Sequence, residues 1–328
     1  MVGRAARLAL ALAALAAGCA EVKGNADAGT GGTGLPPPFD GAAGGGGQVE
    51  DARPPPTEFT MTTYGGYKLG AQLAAGAMSD PTTGIRVCNQ IVGVVRDFKA
   101  ALPPAGGTLE PGGHPDFEVF EGAEITHKLV AADLDPLRKP VYTGVCQRGA
   151  PVSSTCPFGA MTTTQANFDQ WYSSKEGVNQ TFLLYLQLAP GATGVPTFES
   201  HHFFPLDGYG FGNNGLGEDD LGNKNVPHNY SFTTEVHTLF KYMGGEHFTF
   251  EGDDDVWVFI NGKLAVDVGG LHKPRSGSVD LDAQAGALGI TKGSSYPMDL
   301  FHAERHSIDS NFHIEMNFTF EDCGYVVP

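Results

Sequence analysis

Residues 256–268, which read VWVFINGKLAVDV, restrict the possible fold more than any other stretch of the chain. Asn261 and Gly262 are the residue pair best able to take the positive φ angles of a two-residue type I′ turn, so the stretch predicts a β-hairpin. Alternation along the first strand places its three aliphatic residues on one face and its Trp and Phe on the other. Because both faces are apolar, we predict that this hairpin is central in the fold.

Similar apolar runs of strand length recur from about residue 58 onward, and Gly, Pro, Asn and Asp separate them. This pattern predicts an all-β fold, an antiparallel β-sandwich or barrel (jelly-roll-like) with a few short helices and long loops, over residues 58–328. Two segments are predicted to be helical instead. They are the neighbourhood of Gly70 to Met78 and the segment TTQANFDQWYSSKEG, with Phe168, Trp171 and Tyr172 on one face.

The first 57 residues predict export and a tether. Residues 1–18 combine two arginines, a short apolar run and a small-residue cleavage site, which is typical of a signal peptide. Cys19 follows that site directly and resembles the lipidated cysteine of bacterial lipoproteins, although Ala16 stands where leucine is usual. Residues 19–57 are rich in Gly, Ala and Pro and predict a disordered tether. An ordinary signal peptide followed by a stray cysteine stays possible.

The acidic composition excludes one class of partner. The net charge is −17, with 37 acidic against 20 basic residues. Nucleic acid binding would require a basic surface, so we expect no nucleic-acid partner. The same composition is compatible with calcium. Nucleophile elbows, phosphate loops and dinucleotide fingerprints do not occur in the sequence, and no catalytic residue is predicted.

Three consecutive aspartates, Asp253, Asp254 and Asp255, stand directly before the buried strand of the hairpin. Adjacent carboxylates repel one another, which favours protonation or a cation placed between them. Calcium binds hard oxygen ligands from flexible loops, and these side chains would supply several. The alternative is an Asx turn, in which one of the carboxylates accepts hydrogen bonds from its own backbone.

The segment GDDDVWVFINGKLAVDVGGLH, with SGSVDLD and DLFHAERHSIDSNFHIE after it, resembles the fibro-slime domain of bacterial surface proteins and of secreted proteins of social amoebae. Earlier blocks such as VVRDF, GHPDFE, FDQWY and FFPLDGYGFG are similar to the same domain. The C-terminal half also resembles the carbohydrate-binding β-barrel domain first seen in bacterial protective antigen. In its lectin members, an Asp-Asp pair before the hairpin holds calcium, which in turn binds sugar hydroxyls.

These resemblances imply a calcium site at the triple aspartate. They place the ligand pair on Asp253 and Asp254, and Asp255 stands where that domain type has glycine. The full set of predicted calcium ligands is Asp253, Asp254, Asp255, Glu304, Asp309 and Asn311. Residues predicted to contact the bound ligand are Asn261, His272 and His306. A zinc site at HAERH is less favoured, because structural histidines greatly outnumber histidine ligands.

Four cysteines follow Cys19, an even number that predicts disulfides in an exported chain. Of the three possible pairings we predict Cys146 with Cys156, which closes a short loop, and Cys88 with Cys323, which ties the two ends of the domain.

The predicted function is a cell-surface or secreted binding module for carbohydrate or matrix polymer, assisted by calcium, on an outer-membrane or cell-surface lipoprotein. Its only contact with the membrane would be the N-terminal lipid. Two alternatives stay open, a glycan-processing enzyme and a structural matrix component that binds no small ligand.

Overall fold

A computed structural model of the chain describes residues 56–76, 90–101, 111–306 and 309–326. The predicted signal peptide, Cys19 and almost all of the predicted tether therefore lie outside the described residues. So does Cys88. Neither helix in the described ranges is long and apolar enough to cross a membrane.

The described residues form an all-β fold, as the sequence predicts. The strands are β1 (Thr60–Met61), β2 (Gly66–Leu73), β3 (Gln90–Phe98), β4 (Asn179–Gln187), β5 (Ala189–Pro190), β6 (Pro196–Ser200), β7 (Gly215–Glu218), β8 (Lys224–His228), β9 (Phe232–Lys241), β10 (His247–Gly252), β11 (Asp255–Ile260), β12 (Lys263–Val268), β13 (Arg275–Asp280), β14 (Ser295–Glu304), β15 (Phe312–Met316) and β16 (Thr319–Asp322). The helices are α1 (Gln165–Phe168) and α2 (Leu281–Leu288).

Two antiparallel sheets build the sandwich. Over the described ranges, the larger sheet has nine strands in the order β1-β2-β4-β3-β9-β14-β11-β12, with β16 also paired to β9. The smaller sheet has five strands in the order β13-β10-β15-β6-β5, and β7 pairs with β8 alone. The main core contains side chains of both sheets, among them Val256, Val258 and Ile260 of β11.

The second face of the larger sheet is covered by a layer of loops between β3 and β4. Trp257 and Phe259 point into this layer and pack with Trp171, Phe168 and other loop residues. The hairpin and the division of the two faces of β11 are therefore confirmed. Its predicted central position is not, because β12 is the strand at the end of the larger sheet and only β11 is buried throughout. Asn261 and Gly262 have φ angles of 53° and 73°, as a type I′ turn requires.

Of the two helical predictions, one is confirmed in part and one is wrong. Helix α1 begins after Thr164, whose side chain accepts a hydrogen bond from the Asn167 amide, but it spans only Gln165–Phe168. Gly70 to Leu73 belong to β2, because the strand pairs antiparallel with β4 and is anchored in the main core by Tyr67 and Leu69. Pairing with a distant strand thus outweighs the local helical pattern.

The predicted disulfide between Cys146 and Cys156 is confirmed. Both residues are buried in the loop layer, where Met161 and Phe168 also pack. Cys323 is disulfide-bonded as well. Since Cys88 lies outside the described residues, its pairing with Cys323 stays a prediction.

Candidate functional site

The three aspartates lie in the turn between β10 and β11, and all three are buried. Asp254 has a φ of 51°, which gives the turn a tight left-handed bend. Strand β10 pairs with β15, and β11 pairs with β14. The connection from the end of β14 to the start of β15 is therefore brought beside the turn, together with Glu304, Asp309 and Asn311.

Asp253 is held by Asn311 and keeps one oxygen unpaired. Its Oδ2 atom accepts hydrogen bonds from the Asn311 backbone amide at 2.9 Å and from the Asn311 side-chain amide at 2.7 Å. Its Oδ1 atom is buried and has no hydrogen-bond partner in the described structure. A buried carboxylate oxygen without a donor is costly, so this atom is the natural position for a ligand or an ion.

Asp254 and Asp255 are both held by Arg305. The Asp254 Oδ2 atom accepts a hydrogen bond from the Arg305 backbone amide at 2.8 Å. The Asp255 Oδ2 atom accepts one from the Arg305 Nε atom at 2.6 Å, and its Oδ1 atom accepts one from the Gly270 amide at 2.6 Å. With both oxygens engaged and no exposed surface, Asp255 acts as the counter-ion of Arg305.

Glu304 lies behind the turn and is completely buried. Neither of its carboxyl oxygens has a hydrogen-bond donor among the described residues. His302, two residues earlier on the same face of β14, is buried against Phe203, Phe232 and Phe312. Its two ring nitrogens also have no partner in the described structure, and burial lowers the pKa of His302 to about 3. This histidine is a neutral core residue.

Burial makes the charged forms of these carboxyls expensive. Desolvation raises the pKa of Asp253 to about 6 and the pKa of Asp254 to about 7, although Arg305 acts in the opposite direction on Asp254. Desolvation, with the neighbouring carboxylates of Asp254 and Asp253, raises the pKa of Glu304 well above its usual range. The cluster therefore carries more carboxylates than its single arginine compensates.

The aspartate turn opens into a cleft of about 140 Å³. Its lining residues come from four segments of the chain and are Glu121, Gly122, Asp253, Asp254, Leu271, His272, Lys273, His306 and Asp309. The two ring nitrogens of His272 face backbone carbonyl oxygens, that of Lys273 at 3.0 Å and that of Val268 at 3.3 Å, and a carbonyl only accepts. Burial lowers the pKa of His272.

The predicted site residues lie in different places. Asp253, Asp254, Asp309, His272 and His306 line the cleft. Asn311 contacts Asp253, whereas Asp255 and Glu304 are buried away from the opening.

Asn261 is not brought to the cleft. It lies at the other end of β11, about 20 Å from the aspartates for a strand rising about 3.3 Å per residue. Its side chain donates to the Leu288 carbonyl and closes the hairpin against α2. An asparagine at this position is therefore explained by the hairpin turn and not by contact with the cleft.

Among the described residues, no group of three or more His, Cys, Asp or Glu side chains has the spacing of a metal site. A calcium ion at the turn would thus depend on the two cleft aspartates together with amide or main-chain oxygens, which calcium also accepts.

Sequence reasoning missed Arg305, the buried cation that pairs with Asp255 and donates its backbone amide to Asp254. A signal was present, because three carboxylates at a buried hairpin need a nearby cation. Arg305 stands directly after the strand that pairs with β11.

Residues 212–328 match the PA14 domain. This region contains the hairpin of β11 and β12, the aspartate turn and β14 with β15, but not Glu121 and Gly122 of the cleft. The strands β1 to β6 and most of the loop layer also lie outside the match.

Several proteins of Dictyostelium discoideum are similar to this chain. Protein psiC is 36% identical over 222 residues, which cover 65% of this chain and 41% of that protein. Protein psiH is 38% identical over 235 residues, or 64% of this chain and 30% of that protein. Protein psiE is 43% identical over 149 residues, or 45% of this chain and 29% of that protein. The chain thus spans less than half the length of these relatives.

One similar solved structure is the epithelial adhesin 6 A domain from Candida glabrata in complex with Galb1-3GlcNAc. It is 18% identical and covers 40% of this chain and 61% of that domain, with a TM-score of 0.21. A similarity at this level supports no conclusion about the site.

Proposed function

We propose that this protein is a binding module for carbohydrate, in a glycan or a matrix polymer, and that it acts in adhesion at a cell surface or in an extracellular matrix. The observation that carries the proposal is the cleft itself. Two buried aspartates, Asp253 and Asp254, line it within the region that matches the PA14 domain, and the Asp253 Oδ1 atom has no partner in the described structure. Carbohydrate hydroxyls are able to donate hydrogen bonds to such an oxygen.

We propose that calcium assists this binding. The donor set fits the ion, since the carboxylates are hard oxygen ligands and their charge is not balanced within the cluster. Asp253 and Asp254 would hold the ion, with Asp309 and Asn311 as neighbouring oxygen donors. When bound, calcium would neutralise these carboxylates and accept hydroxyl oxygens of a sugar as ligands. Asn311 would keep Asp253 oriented, and Arg305 would do the same for Asp254.

A glycan array tests binding directly. The wild-type domain, residues 56–328, is applied in calcium and in chelator beside the variant Asp253→Asn with Asp254→Asn. Asp133→Asn is a matched control, because Asp133 is an exposed aspartate paired with Lys263 on β12, away from the cleft. We expect the wild type and the control to retain the same glycans and the double variant to retain none.

The array results separate the two parts of the proposal. Binding that persists in chelator and is lost in the double variant keeps the carbohydrate function and rejects calcium. Retention of no glycan by the wild type in either buffer rejects the function. Release of shortened glycans during incubation would favour the enzyme instead of the binding module.

Thermal unfolding tests calcium without any glycan. An ion that binds only the folded state stabilises it by about 2.7 kcal/mol at a concentration of 100 times its Kd. We therefore expect the Tm of the wild type to rise with the logarithm of calcium concentration and the Tm of the double variant to stay constant. Identical wild-type melting in calcium and chelator would show that the turn holds no calcium.

We further propose that Cys19 is lipidated and anchors the protein at the outer membrane or the cell surface. The residues concerned lie outside the described ranges, so the proposal depends on the sequence pattern alone. Replacement of Cys19 by serine should move the protein from the membrane fraction to the soluble fraction. Unchanged partitioning would exclude the anchor.

A further inference from the structure

The cleft has two walls that come from distant parts of the chain. We define the first wall as residues 118–122, in the loop layer, and the second wall as residues 253–255, the aspartate turn. The first wall contributes Glu121 and Gly122 to the cleft lining, and the second contributes Asp253 and Asp254. Only the second wall lies in the region that matches the PA14 domain.

The backbone of Arg305 joins the two walls. Its amide donates to the Asp254 Oδ2 atom at 2.8 Å, and its carbonyl accepts a hydrogen bond from the Glu118 amide at 2.8 Å. The peptide group before Arg305 therefore contacts the second wall, and the peptide group after it contacts the first wall.

The side chain of Arg305 makes the same connection a second time. Its Nε atom donates to Asp255 at 2.6 Å, while its NH1 atom donates to the carbonyls of Asp116 at 3.1 Å and Met161 at 2.9 Å. The guanidinium lies over the Trp171 ring, with its central carbon 4.6 Å from the ring centroid. A planar group with several donors satisfies this arrangement, and a lysine ammonium does not.

The loop-layer end of this connection is rigid. The Asp116 Oδ1 atom accepts hydrogen bonds from the amide and the hydroxyl of Thr163, both at 2.7 Å, and its Oδ2 atom accepts one from the Trp171 indole at 3.1 Å. All of these groups are buried. Arg305 is thus fixed against a buried network two residues before the first wall begins.

We propose that Arg305 is the positioning residue that couples the loop layer to the aspartate turn, and that this coupling sets the distance between the two walls of the cleft. One consequence of this coupling rests on the proposed function: the loop layer would determine which carbohydrates fit the cleft. The coupling itself is a property of the described contacts. It makes the loop layer a part of the binding site and not an accessory to the matched domain.

Hydrogen exchange tests the coupling without a ligand, using Arg305→Met in the full chain. Arg96→Met is the matched control, because Arg96 is equally buried and pairs with Glu235 at 2.6 Å in the same sheet, away from the cleft. For Arg305→Met we expect amide exchange in both walls, measured relative to β4 and β6, to rise about tenfold or more. The control breaks a buried ion pair and lowers the stability of the whole fold, so for it we expect the same ratio to stay within about twofold of its wild-type value.

Two further variants keep the test informative if Arg305→Met folds poorly. Arg305→Met with Asp255→Asn removes both members of the closest ion pair, so Asp255 is not left as a buried charge without its partner and the fold is easier to retain. Arg305→Lys keeps the charge beside Asp255 but not the two carbonyl contacts. We expect it to loosen the first wall while the aspartate turn stays protected.

The outcomes decide between coupling and simple stability. Faster exchange in both walls of the double variant, together with lost or altered glycan selection, supports the proposal. Exchange that rises in only one wall of that variant, or equally in the Arg96 control, overturns it. If the wild type retains no glycan at all, the proposed function fails, and the exchange data still decide whether Arg305 couples the walls.

Discussion

Two clusters of buried charge differ in how their carboxylates are balanced. In the first, which we call the compensated cluster, Glu235 lies between Arg96 and Lys139, each 2.6 Å from one of its oxygens. His237 bridges Glu235 to Asp299, and Arg138 pairs with Asp299. At the aspartate turn, by contrast, the carboxyls of Asp253, Asp254, Asp255 and Glu304 have one ion-pair partner among the described residues, Arg305, which pairs with Asp255.

The pKa values follow this difference. Burial alone would raise the pKa of Glu235, but Arg96 and Lys139 outweigh it and hold that pKa well below the usual range. At the aspartate turn, burial is the larger effect, and the pKa values of Asp253 and Asp254 rise. Both clusters are buried, so burial does not explain why their pKa values shift in opposite directions. The comparison teaches that a cluster which satisfies its own charges stabilises the fold, whereas one with excess charge at a cleft is suited to binding.

The largest expected effect is on the compensated cluster. Glu235→Gln removes the carboxylate shared by Arg96, Lys139 and His237 and leaves buried cations without a partner. Breaking a buried pair in this way costs about 3–5 kcal/mol. We expect the free energy of unfolding in urea to fall by that amount at pH 7. A loss below about 1 kcal/mol, the usual size for an exposed pair, would show that water reaches the cluster.

Removing charge from the aspartate turn should increase the free energy of unfolding instead of lowering it. Since the folded-state pKa values of Asp253 and Asp254 are raised, their ionisation at pH 8 opposes folding. In chelator we expect Asp253→Asn with Asp254→Asn to increase the free energy of unfolding by about 1–2 kcal/mol. Asp255→Asn is the control within the same turn. It weakens the pairing of Arg305 and should destabilise the protein, and equal effects of the three substitutions would remove the distinction between the clusters.

The smallest expected effect is a pH dependence from His237. Burial alone would lower its pKa, but Glu235 and the hydrogen bonds to Asp299 and Glu235 raise it. Both ring nitrogens face carboxylates, and only the imidazolium donates from both. Its stabilising contribution is therefore complete below the unfolded-state pKa of about 6.5 and is lost as the pH rises through the higher folded-state pKa.

Urea unfolding between pH 6 and pH 9 measures this contribution. We expect wild-type stability to decline across the range, by about 1.4 kcal/mol for each unit of pKa shift, and His237→Gln to lose that part of the decline. Asp97, Asp254 and Glu304 also have to be separated from His237. Burial raises the pKa of Asp97 to about 8, that of Asp254 to about 7 and that of Glu304 well above its usual range, and each acts in the same direction below its raised pKa. Asp97→Asn should keep the decline due to His237. Identical pH profiles for wild type and His237→Gln would show that the imidazole is neutral.

Local sequence patterns predicted the parts of the fold that depend on neighbouring residues. The hairpin at Asn261 and Gly262 is one such part, since the turn type follows from which residues tolerate positive φ. The Cys146–Cys156 disulfide is another, because a short loop keeps the two thiols close. Helix α2 was missed although Asp280 caps its start and Gly289 its end, because its few apolar residues give a weak periodic pattern.

The sequence by itself determined the all-β class, the hairpin at Asn261 and Gly262 and the position of three aspartates at its base, since these follow from alternation, turn chemistry and adjacency. Only the tertiary structure decided what each aspartate does. Asp255 pairs with Arg305, while Asp253 and Asp254 line the cleft, although the three are neighbours in the chain. The physical reason is that a carboxylate's role depends on the donors and charges around it, and the tertiary structure brings these from residues 270, 305 and 311.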